Sequence, residues 1–142
     1  MISLLLVDDE PALIAVLEPV LSAAGYAVTT APSASAAIQA LDEQEPDAIL
    51  LDLGLPDRDG HNVIGEVRSR SNVPIIVISA RHQETEKIAA LDGGADDYVN
   101  KPFEIGELTA RIRAATRRYA SQIARVTRLR AGHSQSTLAR EP

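Results

Sequence analysis

Four short segments carry side chains that could share one reaction: Asp8-Asp9-Glu10, Asp52, Ser79 and Lys101-Pro102. Clustered carboxylates repel, and a pair about 4 Å apart costs on the order of 4 kcal/mol at an effective dielectric near 20. A divalent cation with oxygen ligands relieves that repulsion. Mg²⁺ accepts one or two carboxylates, keeps several waters and leaves room for a phosphate oxygen. A carboxylate can also be a covalent nucleophile that takes up a phosphoryl group. The transferred group then needs positive charge and hydroxyl donors around its oxygens. Lys101 and Ser79 are of the right types. Singly, each piece is ordinary. An Asp-Asp-Glu after a strand is commonly a helix N-cap cluster, a lone Asp or Ser at a strand end serves a turn, and a Lys-Pro is commonly a surface lysine. The signal is their joint occurrence at four strand ends.

The elements that must position them alternate in hydrophobic period. Ile2–Val7 is a short continuous apolar run, a buried strand that stops at acids. Pro11 opens a helix at its first turn, and Gly25 closes it. Tyr26–Thr30 is a second strand. Ser33 or Ser35 caps a helix through Glu43, with Ala37, Ile38 and Leu41 on one face. Ala48–Leu51 is a third strand, ending at Asp52, and Leu53–Gly60 is a loop. His61–Ser69 is a helix with Val63, Ile64 and Val67 inward. Pro74–Ile78 is a fourth strand, Glu84–Asp92 a helix stopped by Gly93-Gly94, and Asp97–Asn100 a fifth strand. The last helix begins at Glu104, with Ile105, Leu108 and Ile112 inward. Strands alternating with helices predict an α/β fold, a parallel sheet covered on both faces. The favoured topology is flavodoxin-like and doubly wound, with strand order 2-1-3-4-5 and five helices. In such sheets ligands bind beyond the carboxyl ends of the strands, where the four segments lie.

A length of 142 residues suits one such domain, and the absence of cysteine excludes disulfides, thiolate metal sites and cysteine nucleophiles. A reducing cytoplasm fits that composition. No apolar run is long enough to span a membrane, and the first one is too short for a signal-peptide core. The net charge of −6 is unevenly placed. Residues 1–110 hold 19 acids and 6 bases, net −13, and residues 111–142 hold 1 acid and 8 bases, net +7. An acidic body with a basic tail is a statement about organisation that the average hides.

The sequence resembles the receiver domain of two-component response regulators. The likeness runs through Leu6-Val7-Asp8-Asp9-Glu10, Leu51-Asp52-Leu53-Gly54-Leu55-Pro56, Ile78-Ser79-Ala80 and Val99-Asn100-Lys101-Pro102-Phe103, and covers residues 2–118. The stretches Leu51–Gly60, Val73–Arg81 and Lys87–Arg118 resemble the branch that carries winged-helix DNA-binding domains, and within it the potassium-transport (Kdp-type) regulators. The resemblance implies a CheY-like receiver over residues 1–120, with residues 121–142 a helical extension or linker. It implies that Asp52 accepts a phosphoryl group from the phosphohistidine of a sensor histidine kinase. Asp8, Asp9, Asp52 and the backbone carbonyl of Gly54 would hold Mg²⁺ or Mn²⁺. Lys101 would contact the phosphoryl group, and Ser79 would hydrogen-bond it. Ala80 would leave access to it. Tyr98 would be a coupled aromatic switch, turning inward as Ser79 moves, and Lys101-Pro102 would be a cis peptide, which proline permits at about 0.5–1 kcal/mol.

On the fourth helix, Lys87, Ile88 and Leu91 share helical spacing. Asp96 and Asp97 precede Tyr98, and Glu107, Ala110, Arg111 and Arg118 form one stripe of the last helix. The plain reading is a solvated surface of self-paired charges worth about 0–1 kcal/mol each. The resemblance implies instead a two-fold homodimer, with Lys87 facing Glu107 and Asp97 facing Arg111 between copies. DNA would be reached only through an effector domain outside this chain, to control transcription, and no membrane is involved. Two features depart from the family. Pro19 lies inside the first helix, where it costs about 3 kcal/mol and kinks or breaks it. Thr116–Arg130 could prolong the last helix, and the composition after Gly132 is loop-like. The alternatives are a single-domain receiver acting through protein contacts and, in another class, an Asp-nucleophile phosphatase. That phosphatase class wants a second Asp where this chain has Gly54.

Overall fold

The computed structural model describes the backbone of residues 1–140 and the side-chain surroundings of residues 1–129. Its elements, in order, are β1 (Ser3–Val7), α1 (Pro11–Ala23), β2 (Ala27–Ala31), α2 (Ala34–Glu43), β3 (Ala48–Asp52), α3 (Gly60–Arg68), β4 (Ile75–Ser79), α4 (Glu84–Asp92), β5 (Asp97–Asn100) and α5 (Ile105–Arg140). The strands form one parallel sheet, as the alternating periods imply, in the favoured doubly wound order β2-β1-β3-β4-β5.

Because successive side chains of a strand point to opposite faces, the sheet divides the core in two. Leu4, Leu6, Leu50, Ile76, Ile78 and Val99 pack with Leu17 and Leu21 of α1 and with Leu108, Ile112 and Ala115 of α5. On the other face Leu5, Val7, Ile49, Leu51, Ile75 and Val77 meet α2, Val63, Ile64 and Val67 of α3, and Ala90 of α4. Burial on both faces explains why β3 and β4 are continuous aliphatic runs. The edge strand β2 is mostly exposed, which is why its sequence, AVTTA, carries two threonines where β1, β3 and β4 are aliphatic runs.

One choice left open by the sequence resolves locally. Ser33, not Ser35, is the N-cap of α2, and its hydroxyl accepts from the Ala36 N–H at 3.1 Å. Gly25 closes the α1–β2 turn with φ of +100°, a conformation that only glycine adopts without strain. β2 and β4 each sit one residue later than their apolar runs indicate. Two expectations need correction. Pro19 does not break α1, which continues to Ala23. The carbonyl orphaned by the missing N–H belongs to Ala15, and both residues are exposed, so water can satisfy it. The loop expected after Gly132 is also absent, since α5 continues through it to Arg140. A single glycine costs only about 1 kcal/mol in a helix interior.

Beyond Ala115 the inward seam of α5 continues as Tyr119, Ile123 and Val126. Tyr119 is still anchored, its hydroxyl donating to Glu45 Oε1 at 2.8 Å. Burial and that carboxylate push its phenol up to about 12. Ile123 and Val126 are roughly half exposed.

Candidate functional site

Val7 pairs with Leu51 across β1 and β3, so Asp8 and Asp52, each one residue further on, emerge side by side. Asp8 is 0% exposed and Asp52 8%. Asp8 Oδ1 accepts the Glu10 N–H at 2.9 Å, which fixes the turn into α1. Its Oδ2 accepts from Lys101 Nζ at 3.0 Å. The same ammonium donates to Glu10 Oε1 at 2.9 Å and stands 3.6 Å from Asp52 Oδ1. Asp9 is exposed, yet it, Asp8 and Asp52 each offer a carboxylate oxygen within 4.8 Å of the others. Lys101-Pro102 is cis, as expected.

Burial raises the proton affinity of Asp52, Lys101 opposes this, and Asp8 adds to it, leaving its carboxyl above the ordinary value. Burial disfavours the Lys101 ammonium, but its bonds to Glu10 and Asp8 prevail and raise its pKa. The result is a basic carboxylate beside a cation that stays charged. The donor set is oxygen only, with one acid open to solvent, and fits Mg²⁺, which keeps several of its waters.

Ser79 and Tyr98 lie on the other side of the sheet. Asp52 follows the line of Leu50, whereas Ser79 and Tyr98 follow the line of Val77. The Ser79 hydroxyl accepts the Arg81 N–H at 2.9 Å. Tyr98 is 7% exposed, and its hydroxyl donates to the Arg81 carbonyl at 2.6 Å. The ring expected to turn inward is therefore already inside, packed in the core under α3 and α4. Ala80 and Gly54 are exposed beside the site, which leaves it accessible.

Sequence reasoning missed three contributors, Gly60, Asp57 and Arg81, and the role of a fourth. Glu10 shares Lys101 with Asp8. Gly60 starts α3 against the backbone that carries Asp52; a Cβ there would meet Leu53 Cα at 2.6 Å and the Asp52 carbonyl at 2.8 Å. Asp57 accepts the Ala34 and Ser35 N–H groups at 2.9 Å each, tying the loop after Asp52 to the start of α2. Arg81 bridges Asp59 and Glu86. A glycine after Asp59, a position that begins a helix, is the one signal the sequence offered.

On the remaining face Ile88 and Leu91 are exposed on α4, as are Lys87, Ala110 and Arg118. Arg111 pairs within the chain, with Asp97 at 2.8 Å and Glu107 at 2.9 Å. Asp96 is turned away from that face. It binds Arg68 at 2.7 Å and accepts the Ile75 N–H at 2.8 Å, holding the start of β4.

A doubly wound sheet with an acid triad and a lysine at its carboxyl edge defines a class, and the comparisons agree. Residues 4–113 match the response regulator receiver domain, and the chain belongs to that family. The potassium-regulator likeness also holds. The chain is 48% identical over 114 residues to the transcriptional regulatory protein KdpE of Mycobacterium tuberculosis H37Rv, covering 80% of this chain and 50% of that protein. It is 48% identical over 124 residues to the KDP operon transcriptional regulatory protein KdpE of Escherichia coli K12, covering 87% and 55%. The chain thus spans about half the length of these relatives. Among solved structures, a putative response regulator from Chloroflexus aurantiacus superposes with a TM-score of 0.76 at 38% identity, covering 80% of this chain and 96% of that one. The BeF3-activated N-terminal receiver domain of RstA from Klebsiella pneumoniae gives 0.78 at 27%, covering 81% and 98%. The phosphatase alternative is not favoured.

Proposed function

We propose that this chain is the phosphoacceptor switch of a two-component system, with Asp52 as the acceptor. The observation that carries this is the convergence of Asp8, Asp9 and Asp52 within 4.8 Å, with Lys101 Nζ 3.6 Å from Asp52. An Asp52 carboxylate oxygen attacks the phosphorus of a kinase phosphohistidine. The new O–P bond forms as the N–P bond breaks, and the imidazole nitrogen leaves with the electron pair. Mg²⁺ or Mn²⁺, held by Asp8, Asp9, Asp52 and the Gly54 carbonyl, would neutralise charge on the phosphoryl oxygens. Lys101 supplies a second positive charge, and Ser79 donates to the group from the neighbouring strand. The chain does no further chemistry beyond self-catalysed phosphotransfer and loss of the group to water.

The phosphoryl group shifts the population of the α4–β5–α5 face, on which Lys87, Ile88, Leu91, Asp97, Glu107, Ala110, Arg111 and Arg118 pair two copies. By likeness to the KdpE regulators, the paired form controls transcription through a DNA-binding effector domain outside this chain. Among the described residues no helix is long and apolar enough to cross a membrane, consistent with a cytoplasmic kinase-facing domain.

Two measurements test this. Incubation with acetyl phosphate and Mg²⁺ should add one phosphoryl mass to the wild type and none to Asp52→Asn. Equal modification of both proteins would overturn the assignment. Light scattering should show a shift from monomer to dimer on adding beryllofluoride and Mg²⁺, reduced by Arg111→Ala; an unchanged monomer contradicts the dimer.

A further inference from the structure

Arg81 lies two residues past Ser79, in the loop between β4 and α4. It is the meeting point of two sets of bonds. Its backbone faces the core: the N–H goes to Ser79 Oγ at 2.9 Å, and the carbonyl accepts from Tyr98 at 2.6 Å. Its side chain faces outward. One guanidinium nitrogen, Nη1, donates to Glu86 Oε1 at 2.8 Å and to Asp59 Oδ2 at 3.2 Å. Glu86 is in the first turn of α4, and its Oε1 is also 3.2 Å from His61 Nε2 in the first turn of α3. Asp59 is the N-cap of α3.

One residue therefore joins Ser79 and Tyr98 on its inner side to the starts of α3 and α4 on its outer side. α4 has little else to fix it. Its N-cap, Gln83, makes no side-chain cap bond, and Ala90 is its only buried residue. A helix held so lightly is positioned by its first-turn contacts.

We infer that Arg81 is a positioning residue that carries the displacement of Ser79 and Tyr98 to the first turn of α4, through its paired bonds to Glu86 and Asp59. The inference rests on Asp52 being the phosphoacceptor. Any shift of Ser79 Oγ toward a phosphoryl group pulls on the Arg81 N–H, and any movement of Tyr98 pulls on the Arg81 carbonyl. The side chain transmits that motion because two carboxylates hold it. Side-chain variants leave the inner backbone bonds in place, so they separate transmission from the site itself.

The test uses the whole chain with beryllofluoride and Mg²⁺, which mimic the phosphoryl group. Fluorine NMR reads binding, and amide hydrogen exchange reads α4. In the wild type, binding should change exchange across residues 84–92. Arg81→Ala and Glu86→Gln should still bind, with the α4 response weakened about threefold, the scale of one or two exposed charge-assisted bonds. Arg81→Lys should recover part of the response, because it keeps a cation at that point. A full α4 response in both weakened variants overturns the inference. Loss of binding in Arg81→Ala also overturns it, since Arg81 would then act at the site. Failure of the wild type to bind instead removes the phosphoacceptor reading, and this inference with it.

Discussion

Asp57 shows how one side chain can serve two elements. Its carboxylate caps α2 from the loop that follows Asp52, and the Ser35 and Ala34 N–H groups hold it well down, at about 2. A carboxyl with a depressed folded pKa adds stability above its unfolded value, near 3.8, and loses it as pH falls through about 2. Asp57→Asn should therefore melt below the wild type at pH 5, and the gap should close between pH 4 and 2; thermal unfolding across that range checks it. Asp8, Asp9, Asp52, Ser79 and Lys101 were legible because each follows an apolar run at a strand end. Asp57, Arg81 and the role of Glu10 were not, because their partners are found only once the chain has folded. Asp57 reaches 23 residues back, and Glu10 meets Lys101 across 91. No local period encodes such a meeting.

Among the elements, the join between β3 and α3 leaves no room for a side chain. The Gly60 N–H donates to the Leu53 carbonyl at 2.8 Å, and the helix begins where no Cβ fits. Gly60→Ala should cost about 1–3 kcal/mol, as overpacking does. That lowers the melting temperature by about 3–12 °C for a domain of this size. Phosphoryl uptake should fall with it, since the backbone that must move carries Asp52. Helix faces were readable from period alone, with Val63, Ile64 and Val67 buried as their spacing requires, and strand order from the alternation together with crossover handedness. Which side of the sheet each chemical group takes was also readable from period, although it was not read. That follows from parity within a strand, and a one-residue shift in the start of β4 leaves the parity of Ser79 unchanged. Pro19 misled for the opposite reason. Its cost is set by whether the orphaned carbonyl is wet, and exposure is a property of the folded molecule.

Over the whole molecule, the charge division seen in the sequence has a spatial meaning. Part of the acidic excess is the triad at the sheet edge, and much of the basic excess lies along α5 beyond the body. That helix leaves its tertiary cover near Tyr119. Isolated helices are marginal in water, so the amides of Ala120–Leu129 should exchange at least about a thousandfold faster than those of Leu108–Ala115. Equal protection in the two segments would mean that the extension is covered in solution.

The division of the sheet's two faces has a consequence of its own. The acids and the lysine stand over one aliphatic layer, and the serine and tyrosine over the other. News of a reaction at Asp52 therefore crosses at the rim of the sheet, through the loop that holds Arg81, and enters the interior only on the side of Tyr98. Volume-conserving repacking of the layer that lacks Tyr98 can then adjust heat tolerance with the switch residues left in place. Endurance and responsiveness become traits that selection, or an engineer, can set one at a time.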